Sequence, residues 1–330
     1  MRSKFLISII VLLAIALALL GSILLLKPFP TGNVNLATSY AGSAWESAGK
    51  RAVPFLEQHG IKLNVIETGG ASQNIQLLRD KESEVNAALL FEALLTDDLN
   101  DKIYSLASVG YSPVWIFYRE TSKGTPVNIG DLAQKRVAIG PKDSGSYALT
   151  KKLFELQGVD VNESPNFISS PFTEGLNSYL AGKADVIIFA GDHDDPVVKK
   201  LFFNPGTKIF QMHAEALTRQ KKGFNMVTLP AGIIDMDKSI PEKEVNLLSA
   251  TTILAVKKSL QPGLQLGLLM SASKVVKETP YSYTQIRVEF PAPAYDAPLV
   301  ISPVAKEYFA NGGPPLLSKF FPTWLAYLPL

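Results

Sequence analysis

Apolar stretches of strand length alternate with amphipathic stretches of helical period from Val34 onward, and each joint is a loop rich in glycine and hydroxyl residues. No other feature narrows the fold as much, because a strand–loop–helix repeat buries itself as parallel strands with helical crossovers. Residues 34–38 read as a strand, 44–59 as a helix stopped by Gly60, and 62–67 as the next strand. A helix over 73–81 and a strand over 85–91 complete this first unit, and a long strand over 105–119 follows. After the turn Lys123-Gly124-Thr125-Pro126 the rhythm resumes, with a strand over 136–140, helices over 147–157 and 172–181, and a buried strand over 184–190. Asp194-Asp195-Pro196 offers cap and first-turn chemistry for a helix to about Phe203. Further strands are expected over 224–234 and 251–257, and an amphipathic helix over 262–278.

In open parallel sheets a ligand sits beyond the carboxyl ends of the strands, where helix N-termini present unpaired N–H groups. Four loops hold that position here and supply the candidate binding residues. Ser39, Tyr40, Ser43 and Trp45 come from the first loop, and Thr68, Gly70, Ser72 and Asn74 from the second. Ser144, Gly145, Ser146 and Tyr147 come from the third, and Ala190, Gly191 and Asp192 from the fourth, with Phe91 ending its strand. Glycine allows close backbone approach, the hydroxyls add donors, and a helix starting at Tyr147 would aim its positive end at an anion. Taken singly, each loop is better read as an ordinary turn using the same residues. Four in register, divided between two α/β units, point to a shared cleft.

Trp45, Phe91 and Tyr147 sit where a cleft wall would be and could enclose the apolar body of a ligand, although Phe91 suits a core position as well. Trp115, inside an apolar strand, reads as core. The run Asp192-His193-Asp194-Asp195 has the residue types of a divalent-cation site, but its plainer reading is a solvated loop whose aspartates cap the next helix. No metal site is therefore predicted; Asp192 is expected to face the cleft and to suit a ligand ammonium.

The amino terminus carries a different message. Arg2 and Lys4 precede an apolar run over residues 5–26, broken only by Ser8, Gly21 and Ser22. At about 1.5 Å per residue this spans roughly 30 Å, the thickness of a bilayer's hydrocarbon core. A cleaved signal would need a shorter apolar region and a small-residue cleavage site; Ala16-Leu17-Ala18 is the nearest match and would leave residues 19–26 as an apolar stump. The expectation is an uncleaved single-pass anchor in the cytoplasmic membrane, in contact with lipid through residues 5–26, with the body outside.

Composition removes several function classes. The 32 basic and 30 acidic residues are interspersed, net charge is +2, and no basic stripe with aromatics appears, so no nucleic-acid partner is expected. Without cysteine there is no disulfide, thiolate metal site or cysteine nucleophile. P-loop, dinucleotide-binding, Gly-x-Ser-x-Gly and His-Glu-x-x-His signatures are all missing, so neither a cofactor nor a catalytic residue is predicted. Eight of the 22 prolines fall between Pro291 and Pro329, which marks a wrapping or tethering tail.

Several segments carry a family resemblance in their order and spacing: Thr68-Gly69-Gly70-Ala71-Ser72-Gln73-Asn74-Ile75, the stretch 132–145, Leu180-Ala181-Gly182-Lys183-Ala184-Asp185-Val186, and residues 229–235 with Ile240-Pro241. Asn311-Gly312-Gly313-Pro314-Pro315-Leu316-Leu317 and Phe321-Pro322-Thr323-Trp324 extend the likeness. Together they resemble the TAXI family, the extracytoplasmic solute-binding proteins of TRAP-type transporters, in a membrane-anchored subgroup. The resemblance implies a type II periplasmic-binding fold, two α/β lobes joined by a two-strand hinge, behind an N-terminal transmembrane helix. Its division would be an anchor over 1–30, lobe 1 over 31–120, lobe 2 over 121–245, a return to lobe 1 over 246–290 and a tail over 291–330. It also implies capture of a small carboxylate, an amino acid or organic acid, and a membrane permease as partner. A tethered sensor with the same fold, facing a signalling partner instead, is the alternative.

Overall fold

The computed structural model describes residues 12–15, 32–120, 125–193, 195–212, 214–220, 223–278 and 289–314. Among these no helix is long and apolar enough to cross a membrane. The anchor expected over 5–26 lies outside the described residues except at 12–15, as do Asp194, His213 and the tail beyond Pro314.

Lobe 1 is built on β1 (Gly32–Ala37), β2 (Ile61–Ile66) and β3 (Ala87–Phe91), with α1 (Ala44–Gln58) and α2 (Ala71–Arg79) between them. β1 pairs parallel with both β2 and β3. Lobe 2 repeats the plan with β5 (Val137–Ile139), β6 (Phe167–Ser169) and β7 (Val186–Ala190), β5 lying parallel to the other two. Its helices are α3 (Ile129–Ala133), α4 (Gly145–Glu155), α5 (Phe172–Leu180) and α6 (Pro196–Phe202).

Two long strands, β4 (Ile103–Arg119) and β10 (Val245–Lys257), run antiparallel through both lobes. One end of this ribbon pairs with β3 and the other with β7 and β9 (Phe224–Leu229), giving the order β2-β1-β3-β10-β4-β7-β5-β6. Short β8 (Thr207–Ile209) adds to β4, and α7 (Glu215–Gln220) precedes β9. Register shifts at Thr252/Ile253 and Leu254/Ala255 interrupt the ribbon on the lobe 1 side of its midpoint. There the buried Ser112 and Thr252 hydroxyls bond each other at 2.9 Å. α8 (Pro262–Glu278) and α9 (Pro303–Ala310) pack against each other and on lobe 1.

The core follows from strand geometry, since consecutive residues of a strand point to opposite faces. Val34, Leu36, Leu89, Leu254 and Val256 join α1, α8 and α9 on one face of lobe 1, while Ala37, Ala88, Leu90, Ile253 and Ala255 join α2 on the other. Lobe 2 divides in the same way: Ile116, Ile139 and Ile188 face α4, and Trp115, Phe117, Ile187 and Phe189 face α5 and α6. Strands covered on both faces read as continuous apolar runs. That is why Trp115, fully buried, was recognisable as core.

Boundaries differ from expectation where caps or polar residues intervene. α2 and α4 each begin two residues early, because Gly70 and Ser144 occupy the N-cap positions. β10 begins at Val245 rather than Thr251, its first six residues pairing with β9. Residues 289–314 wrap lobe 1, with Ser302 N bonded to Ser105 O and paired amide bonds between Ala292 and Ser108.

Candidate ligand-binding cleft

The βα loops of both lobes meet at one seam. On the lobe 1 side the chain leaving β1 turns through Ser39 and Tyr40 into α1, whose N-cap Ser43 accepts from Glu46 N at 3.2 Å. Glu46 answers by accepting from Gly42 N at 2.8 Å and pairing with Lys50, a charge and bond that hold its carboxyl below the usual range. The chain leaving β2 passes Thr68 and reaches α2 through Gly70, whose φ of 102° suits only glycine. Fully buried Asn74 donates to Thr38 O at 2.7 Å and Leu89 O at 2.9 Å, and accepts from Thr68 at 2.7 Å. One side chain thus ties the ends of β1, β2 and β3 together.

On the lobe 2 side Ser144 caps α4, accepting from Tyr147 N at 3.1 Å. Ser146 Oγ accepts from Ala190 N at 3.0 Å, which links the start of α4 to the end of β7. The core residue Trp115 donates its indole N–H to Gly191 O at 3.0 Å and so holds the next loop. Asp195 caps α6 with one oxygen, accepting from Val197 N at 2.9 Å. Its other oxygen accepts from the Tyr40 hydroxyl of lobe 1 at 2.6 Å.

This last bond crosses the seam, and others accompany it. Ser72 donates to Ser144 O at 3.2 Å, Gln73 N to Asp143 O at 3.2 Å, and the Tyr40 ring stacks on Phe172 with centroids 5.1 Å apart. Gly145 lies so close to lobe 1 that a Cβ there would stand 2.7 Å from Phe91 Cε2 and 3.0 Å from Ala71 Cβ. The lobes are therefore closed on each other. Burial, reinforced by the Asp195 carboxylate beside it, pushes the Tyr40 phenol far above its ordinary pKa, so it remains a donor.

Between the lobes lies a cavity of about 370 Å³, within the size range of small-molecule sites. The starts of α1, α2, α4 and α5 border it through Ser43, Ala71, Gly145 and Phe172. The first amides of a helix have no intrahelical acceptor, and the helix dipole makes that end positive. Asp195 brings the opposite character to the same cavity. The arrangement can hold an anion at the helix starts and a hydrogen-bond donor or cation at the Tyr40–Asp195 pair.

Of the sequence-predicted residues, Ser39, Tyr40, Ser43, Trp45, Gly70 and Phe91 line this cavity from lobe 1, and Ser144, Gly145, Ser146, Ala190 and Gly191 from lobe 2. Five others stand elsewhere. Thr68 and Asn74 are turned inward as the brace just described, and Ser72 is engaged in the seam. Tyr147, 6% exposed, points into the lobe 2 core and donates to Asn162 at 2.5 Å, because α4 starts two residues earlier than expected. Asp192 binds its neighbour, accepting from His193 N at 2.7 Å, and borders a different cavity. The carboxylate at the cleft is Asp195, which sequence reasoning assigned to capping alone. Phe172, Thr173 and Ser112 also line the cavity without having been singled out.

The NMT1-like family matches residues 45–266, a stretch that runs from α1 across both hinge strands into α8. The chain belongs to the NMT1-like family. That assignment is broader than the TAXI resemblance and does not extend to it. No curated protein matches this NMT1-like chain. Solved structures similar to it include the alkanesulfonate-binding protein SsuA from Xanthomonas axonopodis pv. citri bound to MOPS, at 12% identity, 74% coverage of each chain and a TM-score of 0.45. The effector-binding domain of QuiR in complex with shikimate is 13% identical over 76% of this chain and all (100%) of its own, with a TM-score of 0.48. Holo ArgBP from T. maritima is 15% identical over 76% of this chain and 93% of its own, with a TM-score of 0.43.

Proposed function

We propose that the chain is an extracytoplasmic solute-binding protein that closes its lobes on a small carboxylate-bearing solute, an amino acid or organic acid, and presents it to a membrane permease. The observation that carries this reading is the interlobe cavity bordered by four helix starts, with the Tyr40–Asp195 pair on its wall. The carboxylate would accept from the free amides at the starts of α2 and α4, and an amine or hydroxyl of the same solute would face Asp195. Tyr40 and Phe172, stacked across the seam, would shut over it. Binding would shift the population toward the closed state without any chemical turnover. The apolar run at 5–26 behind Arg2 and Lys4 supports a tether to the cytoplasmic membrane, with the lobes outside.

The test is a calorimetric and thermal-shift survey of amino acids and dicarboxylates on the full-length protein in detergent. At least one is expected to bind and to raise Tm, and a flat response to all of them would remove the proposal. Capture of partners from membranes decides what the closed form serves: a permease supports transport, a signalling protein supports a sensor. Protease accessibility of the lobes in sealed spheroplasts checks the location.

A further inference from the structure

Charges of opposite sign are unevenly supplied around the cleft, and that limits what it can accept. The described residues lining it include one carboxylate, Asp195, and no lysine, arginine or histidine. Lys142, shortly before the α4 cap, is exposed and does not line it. Arg51 and His193 border a neighbouring space that shares Ala44, Trp45 and Ser112 with the cleft, and neither lines the cleft itself. Asp195 has almost no accessible surface and accepts from Tyr40 and Val197. Its charge needs no contact to act, because in a protein interior a unit charge is felt several ångströms away.

The positive ends of the helices do not make up the difference. At the start of α1 the Glu46 carboxylate already accepts from Gly42 N, and Glu174 stands in the first turn of α5, so both ends carry an anion of their own. α2 and α4 have no acidic residue in the first turn. They share one place, since a Cβ on Gly70 would stand 3.6 Å from the Gly145 amide nitrogen. A helix end is equivalent to only about half a unit charge. One such pair suits one carboxylate, whereas a second would lie in the field of Asp195 with no base to answer it. On the proposed role of the cleft, we infer that Asp195 sets a charge limit on the solute: one carboxylate is accepted with an uncharged or positive remainder, and dicarboxylates and acidic amino acids are excluded.

Calorimetry on the full-length protein in detergent compares probes that differ by one charge at nearly constant shape: glutamine with glutamate, succinamate with succinate, and leucine with isocaproate. Of these and the surveyed amino acids, the tightest should carry a single carboxylate, and glutamate and succinate should bind at least about thirty-fold more weakly. Asp195→Asn keeps a good cap for α6 and should shift affinity toward the more negative member of each binding pair by at least about five-fold. Glutamate or succinate within about thirty-fold of the tightest probe overturns the charge limit and leaves the cleft's proposed role standing. Unchanged ratios in folded Asp195→Asn overturn the part given to Asp195. A flat response to every probe and every surveyed amino acid removes both the limit and the role. Should Asp195→Asn fail to fold, the probes on the unaltered protein decide alone.

Discussion

Lobe 1 and lobe 2 present loops of the same composition to the cleft but hold them by different means. In lobe 1 the polar side chains of the second loop turn away from the cavity: Thr68 and Asn74 serve the strand ends, so the loop shows mainly backbone. In lobe 2 the equivalent residues, Ser144 and Ser146, stay at the cavity wall, each making a single bond to a nearby amide. The second loop of lobe 1 is thus tied to several strand ends through one side chain, whereas the two serines at the start of α4 each make a single bond. Glycine and hydroxyl content alone does not distinguish the two.

The largest test of that contrast is a pair of substitutions. Asn74→Leu keeps the volume but removes the side-chain bonds to Thr38 O, Leu89 O and Thr68, and should cost about 3 kcal/mol. Ser146→Ala removes one bond to an amide at the cavity wall and should cost about 1 kcal/mol. Thermal and urea denaturation measure both. Equal costs would mean that the walls are not held differently.

Gly145→Val probes closure rather than folding. The added side chain belongs to lobe 2, while Phe91 and Ala71, the atoms it meets, belong to lobe 1. The described arrangement has no room for it, and an open form, as proposed, would. Overpacking of this kind costs about 1–3 kcal/mol, which should appear as weakened solute binding and a larger radius of gyration with Tm little changed. A drop in Tm with binding intact would place the strain inside one lobe instead.

These contrasts also mark how far the sequence could be read. The parallel strands were legible because each is buried on both faces and reads as an apolar run. β6 and β8, three residues each, are too short to show a period, and Asn246 and Ser249 interrupted the apolar run at the start of β10. The four loops were recognisable by glycine and hydroxyl content, and most of their residues do line one cavity. What could not be read was direction. Nothing local says that Asn74 points inward while Ser146 stays at the cavity. Asp195 was legible as a cap because Val197 lies two residues away, whereas its other oxygen serves Tyr40, 155 residues distant.

Tyr40→Phe removes the bond from lobe 1 to the Asp195 carboxylate. Hydrogen bonds to a charged partner contribute about 1.5–3 kcal/mol, and the lower figure applies here because Asp195 keeps the Val197 amide. Solute affinity should fall about ten-fold. The same bond sets an alkaline limit. The phenol's pKa is raised in the closed form, so its contribution is complete below the ordinary tyrosine value of about 10 and declines as pH rises above it. Affinity measured from neutral pH upward should stay level and then fall, and Tyr40→Phe should flatten the fall. An identical alkaline fall in the variant would separate Tyr40 from closure.

Ser72→Ala asks the smallest question and the most specific one. Ser72 is the only hydroxyl of the second loop that reaches lobe 2, through a neutral bond to Ser144 O. That acceptor belongs to the same peptide unit as the Gly145 amide that starts α4, so the bond bears on how the two helix starts face each other. A neutral hydrogen bond contributes about 0.5–1.5 kcal/mol, and the neighbouring Gln73–Asp143 amide bond still holds the seam. On the proposed closure, affinity should therefore fall only about two- to five-fold, through faster release, with stability little changed. A fall in Tm without faster release would show that Ser72 supports lobe 1 as Asn74 does, and the seam would then rest on its other contacts, Tyr40–Asp195 and Gln73–Asp143 among them.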